Sequence, residues 1–213
     1  MTDVMQGPAM QTPAMQTPAG SSDAVDLHRR HVAVVFADLS GFTALVDSVE
    51  PEVVYARVRP VIDQLVTLVE FHGGEIQQVL GDGFMAVFGL GGAAAERGDE
   101  VTRAVQAGIA LVCAGSDTAG RLPVHVGIEA GEVLVSRSWQ PARFAVWGRA
   151  VTVATRLCDI AGPGTVNIGP RAYEAGGRGV VERWGARLSG PDRVRARGFA
   201  RELTVYAATP QFS

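Results

Sequence analysis

From about residue 31 the chain alternates short apolar runs with longer segments whose apolar positions recur at helical spacing. His31–Ala37 (HVAVVFA) is a continuous, valine-rich run, the composition of a strand buried on both faces. Gly41–Ser48 reads as a short helix. Pro51 suits the first turn of a second helix, which reaches Phe71 before His72-Gly73-Gly74 stops it. Val53, Val54, Val58, Val61, Ile62, Leu65, Leu68 and Val69 give that helix an apolar stripe. Glu75–Leu80 and Phe84–Phe88 are short strands joined by Gly81-Asp82-Gly83, an Asp-Gly hairpin signal. A helix is expected over Asp99–Ala114. Two strand-like runs follow, Pro123–Glu129 and Glu132–Val135, with Ala130-Gly131 between them. A strand near Phe144, a helix over Arg149–Asp159 and several C-terminal strands complete the pattern. The order β-α-α-β-β-α-β-β predicts an α+β domain, a mixed and mainly antiparallel sheet with helices packed on it. It lacks the regular alternation of a doubly wound fold.

Residues 1–30 differ from the rest. Pro8-Ala-Met-Gln-Thr repeats from Pro13 and begins again at Pro18, with few groups able to build a core, so a disordered tail is expected before a domain over 31–208. No basic start leads into an apolar stretch, so no secretory signal is expected. No run approaches the ~18 apolar residues of a membrane span. The 213 residues are 47% hydrophobic, ample for one core, with a net charge of −3. That balance argues against a protein built to coat nucleic acid or an anionic membrane. All 19 basic residues are arginine. Without lysine the chain has no Walker-type phosphate loop, no kinase site and no Schiff-base nucleophile. Two cysteines, Cys113 and Cys158, with four scattered histidines give neither a disulfide framework nor zinc-ligand spacing, so a reduced, cytoplasmic setting is expected.

Candidate chemistry begins with Asp38, at the end of the first strand, and Asp82, at the hairpin tip. Two carboxylates brought together at strand ends form a site for hard divalent cations, and two ions there polarise a phosphate and activate a hydroxyl. Singly, Asp38 also reads as a helix cap and Asp82 as a turn residue. The wording around them is more specific. Phe36-Ala-Asp38-Leu-Ser-Gly41-Phe42-Thr43, Gly81-Asp82-Gly-Phe-Met-Ala86-Val-Phe88 and Trp147-Gly148-Arg-Ala-Val151-Thr-Val-Ala154-Thr-Arg156-Leu157 occur in this order. Together they resemble the class III nucleotidyl cyclases, the adenylate and guanylate cyclase family, over about His31 to Ala207.

The resemblance implies a ferredoxin-like α+β core and a homodimer with active sites at the interface. It also implies conversion of a nucleoside triphosphate to a 3′,5′-cyclic nucleotide plus pyrophosphate. Asp38 and Asp82 match the aspartates that hold two divalent cations, Mg2+ or Mn2+, with the Leu39 carbonyl as a further ligand. Gly41, Phe42 and Thr43 match the turn whose amides hold the triphosphate, a role suited to a helix start. Arg156 matches the transition-state arginine, reaching the substrate from the other subunit. Arg197, in Arg195-Ala-Arg197-Gly198-Phe199, falls where relatives place a basic residue against the terminal phosphates.

Three positions depart from the adenylate pattern. Gln78 stands where a lysine is usual, four residues before the second metal aspartate. Ala145 replaces an aspartate or threonine, and Thr152 replaces the asparagine before the arginine. Three outcomes stay open. One is a cyclase for another base, such as UTP or CTP, as in the pyrimidine cyclases of bacterial antiphage signalling. The others are an adenylate cyclase with relaxed base readout and an inactive nucleotide-binding regulator. Gly89-Leu-Gly91-Gly-Ala-Ala94 imitates a dinucleotide-binding turn, but the preceding hairpin argues for a loop. The arginines from 178 to 201 lack the aromatic series of a base-stacking surface and read as a solvated strand face, with no nucleic acid implied. His125 reads as an ordinary strand residue.

Overall fold

The structure, a computed structural model, describes residues 27–91, 98–116, 122–137 and 144–211. The expected tail therefore lies outside the described residues up to residue 26. The glycine-rich turn after Phe88 leaves them beyond Gly91.

Strand β1 (His28–Leu39) is the middle of an eight-stranded sheet. Its neighbours β3 (Gly83–Phe88) and β4 (Val124–Arg137) both run antiparallel to it. Beyond β3 lies the edge strand β2 (Glu75–Leu80). Beyond β4 lie β6 (Val166–Ile168), its one parallel partner, then β8 (Leu203–Thr209) and β7 (Arg187–Val194). Short β5 (Phe144–Trp147) pairs with the far end of β4. Strand alternation sorts the side chains of β1 to two faces. Ala33, Val35, Ala37 and Leu39 join the main core with helices α2 (Pro51–Phe71) and α3 (Glu100–Ser116). Val32 and Val34 join Met85 and Val87 beneath α4 (Arg149–Asp159). Since both faces are covered, Val32–Val35 and Ala37 are buried, as the composition of the run predicts, while Phe36 is partly buried and His31 exposed. In α2 the buried stripe is Val54, Val58, Val61, Ile62, Leu65 and Val69, whereas Val53 stays exposed. Each fully buried aliphatic side chain contributes about 1.5–3 kcal/mol.

The structure departs from the expected elements in three places. The two runs around Ala130-Gly131 are one strand, because β1 is long enough to pair straight through them, Val32 with Gly131 and Ala33 with Ala130. Strand β1 also begins three residues before His31, where His28-Arg29-Arg30 continue the ladder as an exposed end and Arg29 pairs with Glu132. After β6 the chain turns helical before any further strand: α5 (Pro170–Ala172), a π-helical turn (Tyr173–Gly177) and α6 (Arg178–Arg183). Pro170 supplies the fixed φ of a first helical turn.

What positions the site is the seating of α4. It lies directly on β4 at Gly127, where an added Cβ would stand 2.2 Å from the Cys158 nitrogen and 2.3 Å from the Ala154 carbonyl oxygen. Its last turn is tied to β6 by buried Asn167, whose Nδ2 donates to the Leu157 carbonyl at 3.0 Å. Gly127→Ala is therefore expected to cost about 2 kcal/mol or more by overpacking, a melting-temperature loss of roughly 5 °C or more. Gly162→Ala, whose Cβ meets nothing nearer than Thr165 Oγ1 at 3.7 Å, should melt within about 1 °C of the parent. Thermal unfolding followed by circular dichroism checks both, and equal melting points would refute the close α4–β4 contact.

Candidate active site

Asp38 is the penultimate residue of β1 and pairs with Gly83 on β3, the residue after Asp82. The two-residue turn Gly81-Asp82 thus brings the second carboxyl beside the first. Gly81 takes φ 58°, the left-handed conformation such a turn favours. The Asp82 carboxyl is pushed from its ordinary 3.8 up to about 6, first by burial and then by the charge of Asp38, with which it also shares a hydrogen bond. A hydrogen bond from its own amide opposes the shift.

Asp38 opens into a cleft of about 220 Å³ on the α4 side of the sheet, lined also by Gln78, His125, Thr155, Cys158 and Asp159. His125 is the partner of Asp38 across the β1–β4 register. Its Nε2 lies 3.6 Å from Asp38 Oδ2, and its Nδ1 lies 2.9 Å from Ser40 Oγ. Burial, with the charges of Asp38 and Asp159, raises the Cys158 thiol far above its ordinary value, so it is a packing group rather than a nucleophile. Sequence reasoning missed His125, Ser40 and Asp159. Only the strand register reveals His125, because it is 87 residues from Asp38 in the chain and nothing local marks it.

Arg156 is not among the residues lining this cleft. It lies on α4 with Nη1 2.5 Å from Asp159 Oδ2, while its Nε is buried without a hydrogen-bond partner. Thr152, one turn earlier, is exposed. Exposed Arg197 is carried by a loop whose Ala196 and Phe199 pack with Val153 and Leu157 of α4. Gly41 adopts φ 83° and ψ 6° as the cap of α1 (Phe42–Ser48), so Phe42 and Thr43 open that helix. Leu39 buries its side chain in the core, which leaves only its backbone for any ligand role. Gln78 stands in the Asp38 cleft, but Ala145 pairs with Ser136 at the far end of β4 and is not part of it. A larger cavity, about 780 Å³, lies between α1, α2 and β2, lined by Phe42, Val46, Tyr55, Ile62 and Val79 and containing neither aspartate.

The donor set fits a hard cation in part. Asp38 and Asp82 give two carboxylates whose mutual repulsion a cation would relieve. Among the described residues no group of three or more His, Cys, Asp or Glu side chains converges as a metal site. Remaining ligands would have to be backbone, water or substrate oxygens, the habit of magnesium sites.

Fold and site together define a cyclase-type catalytic domain. A family model described as the adenylate and guanylate cyclase catalytic domain matches residues 26–207. The chain belongs to that family, the class III nucleotidyl cyclases. Its fold is also that of the guanylyl cyclase Cya2, at TM-score 0.73 and 23% identity over 87% of this chain and 95% of that one. The adenylyl cyclase CyaB from P. aeruginosa aligns at TM-score 0.73 and 22% identity over 88% of this chain and 98% of that one. The uncharacterized protein Rv1319c of Mycobacterium tuberculosis is 33% identical over 138 residues, 62% of this chain. This chain spans only 24% of that relative, so it corresponds to about a quarter of the longer protein. Among the described residues no helix is long and apolar enough to cross a membrane.

The raised Asp82 carboxyl gives a pH prediction. The folded chain holds a proton there that the unfolded chain releases between 3.8 and about 6. That contribution to stability is complete below this window and is lost as pH rises through it. In a chelating buffer Asp82→Asn should therefore melt above the parent at pH 8, and the gap should close as pH falls towards 4. A gap that stays constant with pH would show that Asp82 is not perturbed.

Proposed function

We propose that the chain is a metal-dependent nucleotidyl cyclase domain that converts a nucleoside triphosphate to a 3′,5′-cyclic nucleotide and pyrophosphate, with a base not strictly limited to adenine. What carries this proposal is the meeting of Asp38, which lines the cleft, with Asp82 at the adjoining turn, whose carboxyl is held well above its ordinary pKa. Bound divalent cations would supply Lewis acidity for the ribose 3′-hydroxyl and screening for the triphosphate. Asp38 and Asp82 would hold them, with the Leu39 carbonyl as a further oxygen. The amides of Gly41, Phe42 and Thr43 would hold phosphate, and Arg197 would face its terminal groups. The 3′-oxygen bonds to the α-phosphorus, the bond to the pyrophosphate oxygen breaks, and the hydroxyl proton passes to solvent. Arg156 opposes the charge that grows on the transferring phosphoryl group, with Thr152 beside it.

The chain works as a homodimer. Supporting this, Arg156 lies outside the Asp38 cleft of its own chain and is held by Asp159, so the arginine at each site comes from the partner. Gln78 and Ala145 would read the base. Gln78 offers both a donor and an acceptor, and Ala145 offers no side-chain hydrogen bond, so a wrong base leaves no buried polar group unpaired. UTP and CTP therefore stand beside ATP as substrates.

Incubation with each of the four triphosphates and Mn2+, read by mass spectrometry, should give a cyclic product that either Asp38→Ala or Asp82→Ala reduces at least tenfold, by about 1.4 kcal/mol of barrier or more. No cyclic product from any base would leave an inactive nucleotide-binding regulator. Arg156→Ala should lower kcat with little change in KM, whereas a raised KM at constant kcat would assign it to ground-state binding. Gln78→Lys combined with Ala145→Asp should move relative kcat/KM towards ATP by about fivefold per hydrogen bond gained. An unmoved ratio would show that these positions do not read the base.

A further inference from the structure

We propose that His125, oriented by Ser40, is the positioning residue of the cation site: it holds Oδ2 of Asp38 and leaves Oδ1 turned to the Asp82 side. The inference rests on the cation role of Asp38 proposed above.

The two oxygens of Asp38 face different partners. Oδ2 lies 3.6 Å from His125 Nε2. Oδ1 lies on the β3 side, where a Cβ added to Gly83 would come within 2.7 Å of it. The absence of a side chain at Gly83 keeps that side open. Ser40 fixes the imidazole from behind, with its Oγ 2.9 Å from Nδ1. Ser40 is itself anchored, because its amide donates to the Pro123 carbonyl at 2.7 Å. His125 has a side chain only 14% exposed.

The donor inventory sets the tautomer. A hydroxyl can donate or accept, but a carboxylate only accepts. For the neutral ring, the arrangement without opposed lone pairs has Ser40 donating to Nδ1 and Nε2–H directed at Asp38. At 3.6 Å this is an electrostatic contact rather than a hydrogen bond. It gives Oδ2 a partner on the β4 side, which fixes the carboxyl plane and leaves Oδ1 for the Asp82 side. Partners of this kind, one step removed from a metal, typically change its affinity about 10–100-fold when removed.

The test is Mn2+ binding by the whole chain without nucleotide, read from the loss of the free-ion electron paramagnetic resonance signal. His125→Ala should bind Mn2+ about tenfold or more weakly. His125→Gln, which keeps an N–H donor, should stay near the parent. Ser40→Ala should fall between them and Ser40→Thr should restore binding. Melting points in chelator should not follow this order. Parent-like Mn2+ affinity in His125→Ala would overturn the proposal, as would a loss in His125→Gln as large as in His125→Ala. If His125→Ala does not fold, the serine pair decides: equal affinities in Ser40→Ala and Ser40→Thr would overturn it. Asp38→Ala separates the two layers of the argument. A parent that binds no Mn2+, or binds it equally well after Asp38→Ala, removes the cation role itself and this inference with it. Loss on Asp38→Ala with retention on His125→Ala removes the inference alone.

Discussion

Two carboxylates are held together against their own repulsion, and the strand register holds them there. Asp38 pairs with Gly83 across β1 and β3, so the turn residue Asp82 has nowhere to go but beside it. The cost appears in the raised Asp82 carboxyl, which burial lifts most and the charge of Asp38 lifts further. Protein cores avoid such pairs unless a cation or a proton relieves them. The remaining architecture keeps that register from slipping. Strand β1 is buried on both faces, and a one-residue shift would exchange the side chains facing α2 and α3 with those facing α4. The frame is therefore rigid where the charge is unfavourable. That is the arrangement expected of a site whose stability is spent on function rather than folding.

The same geometry divides labour between surfaces. The cleft that holds Asp38 also takes in Thr155, Cys158 and Asp159 from α4, yet Arg156 on the same helix stays outside it. Asp159 holds the guanidinium Nη1 while its Nε stays without a partner, so the arginine is only partly satisfied within its own chain. Its side chain is still one third exposed, and in the proposed dimer its remaining exposed donors meet the phosphoryl group in the other subunit's cleft.

Much of this was legible in the sequence. The continuous run over His31–Ala37, the stripe of α2 and the Asp-Gly turn each follow from local chemistry, and each forms in the expected element, with His31 and Val53 left exposed. The ordered motifs around Asp38, Asp82 and Arg156 pointed to the cyclase family, which the family match bears out. The parts that were not legible depend on pairing. Ala130-Gly131 reads as a break until the length of β1 is known to carry the ladder through it. Pro170–Arg183 carries too many glycines and arginines to declare a helix by periodicity. His125 looks ordinary because its meaning lies in its position across from Asp38. The separation of Ala145 from Gln78 likewise emerges only from the strand order, β5 pairing beyond β4 while β2 forms the opposite edge.

In the proposed dimer, each active site joins Asp38 and Asp82 of one subunit to Arg156 of the other. Mixing the inactive variants Asp38→Ala and Arg156→Ala probes this shared site. Random exchange of subunits makes half of the dimers mixed, each with one intact site, so the mixture should recover about a quarter of the parent's cyclase activity. A mixture as inactive as its two components, despite demonstrated subunit exchange, would contradict the shared site.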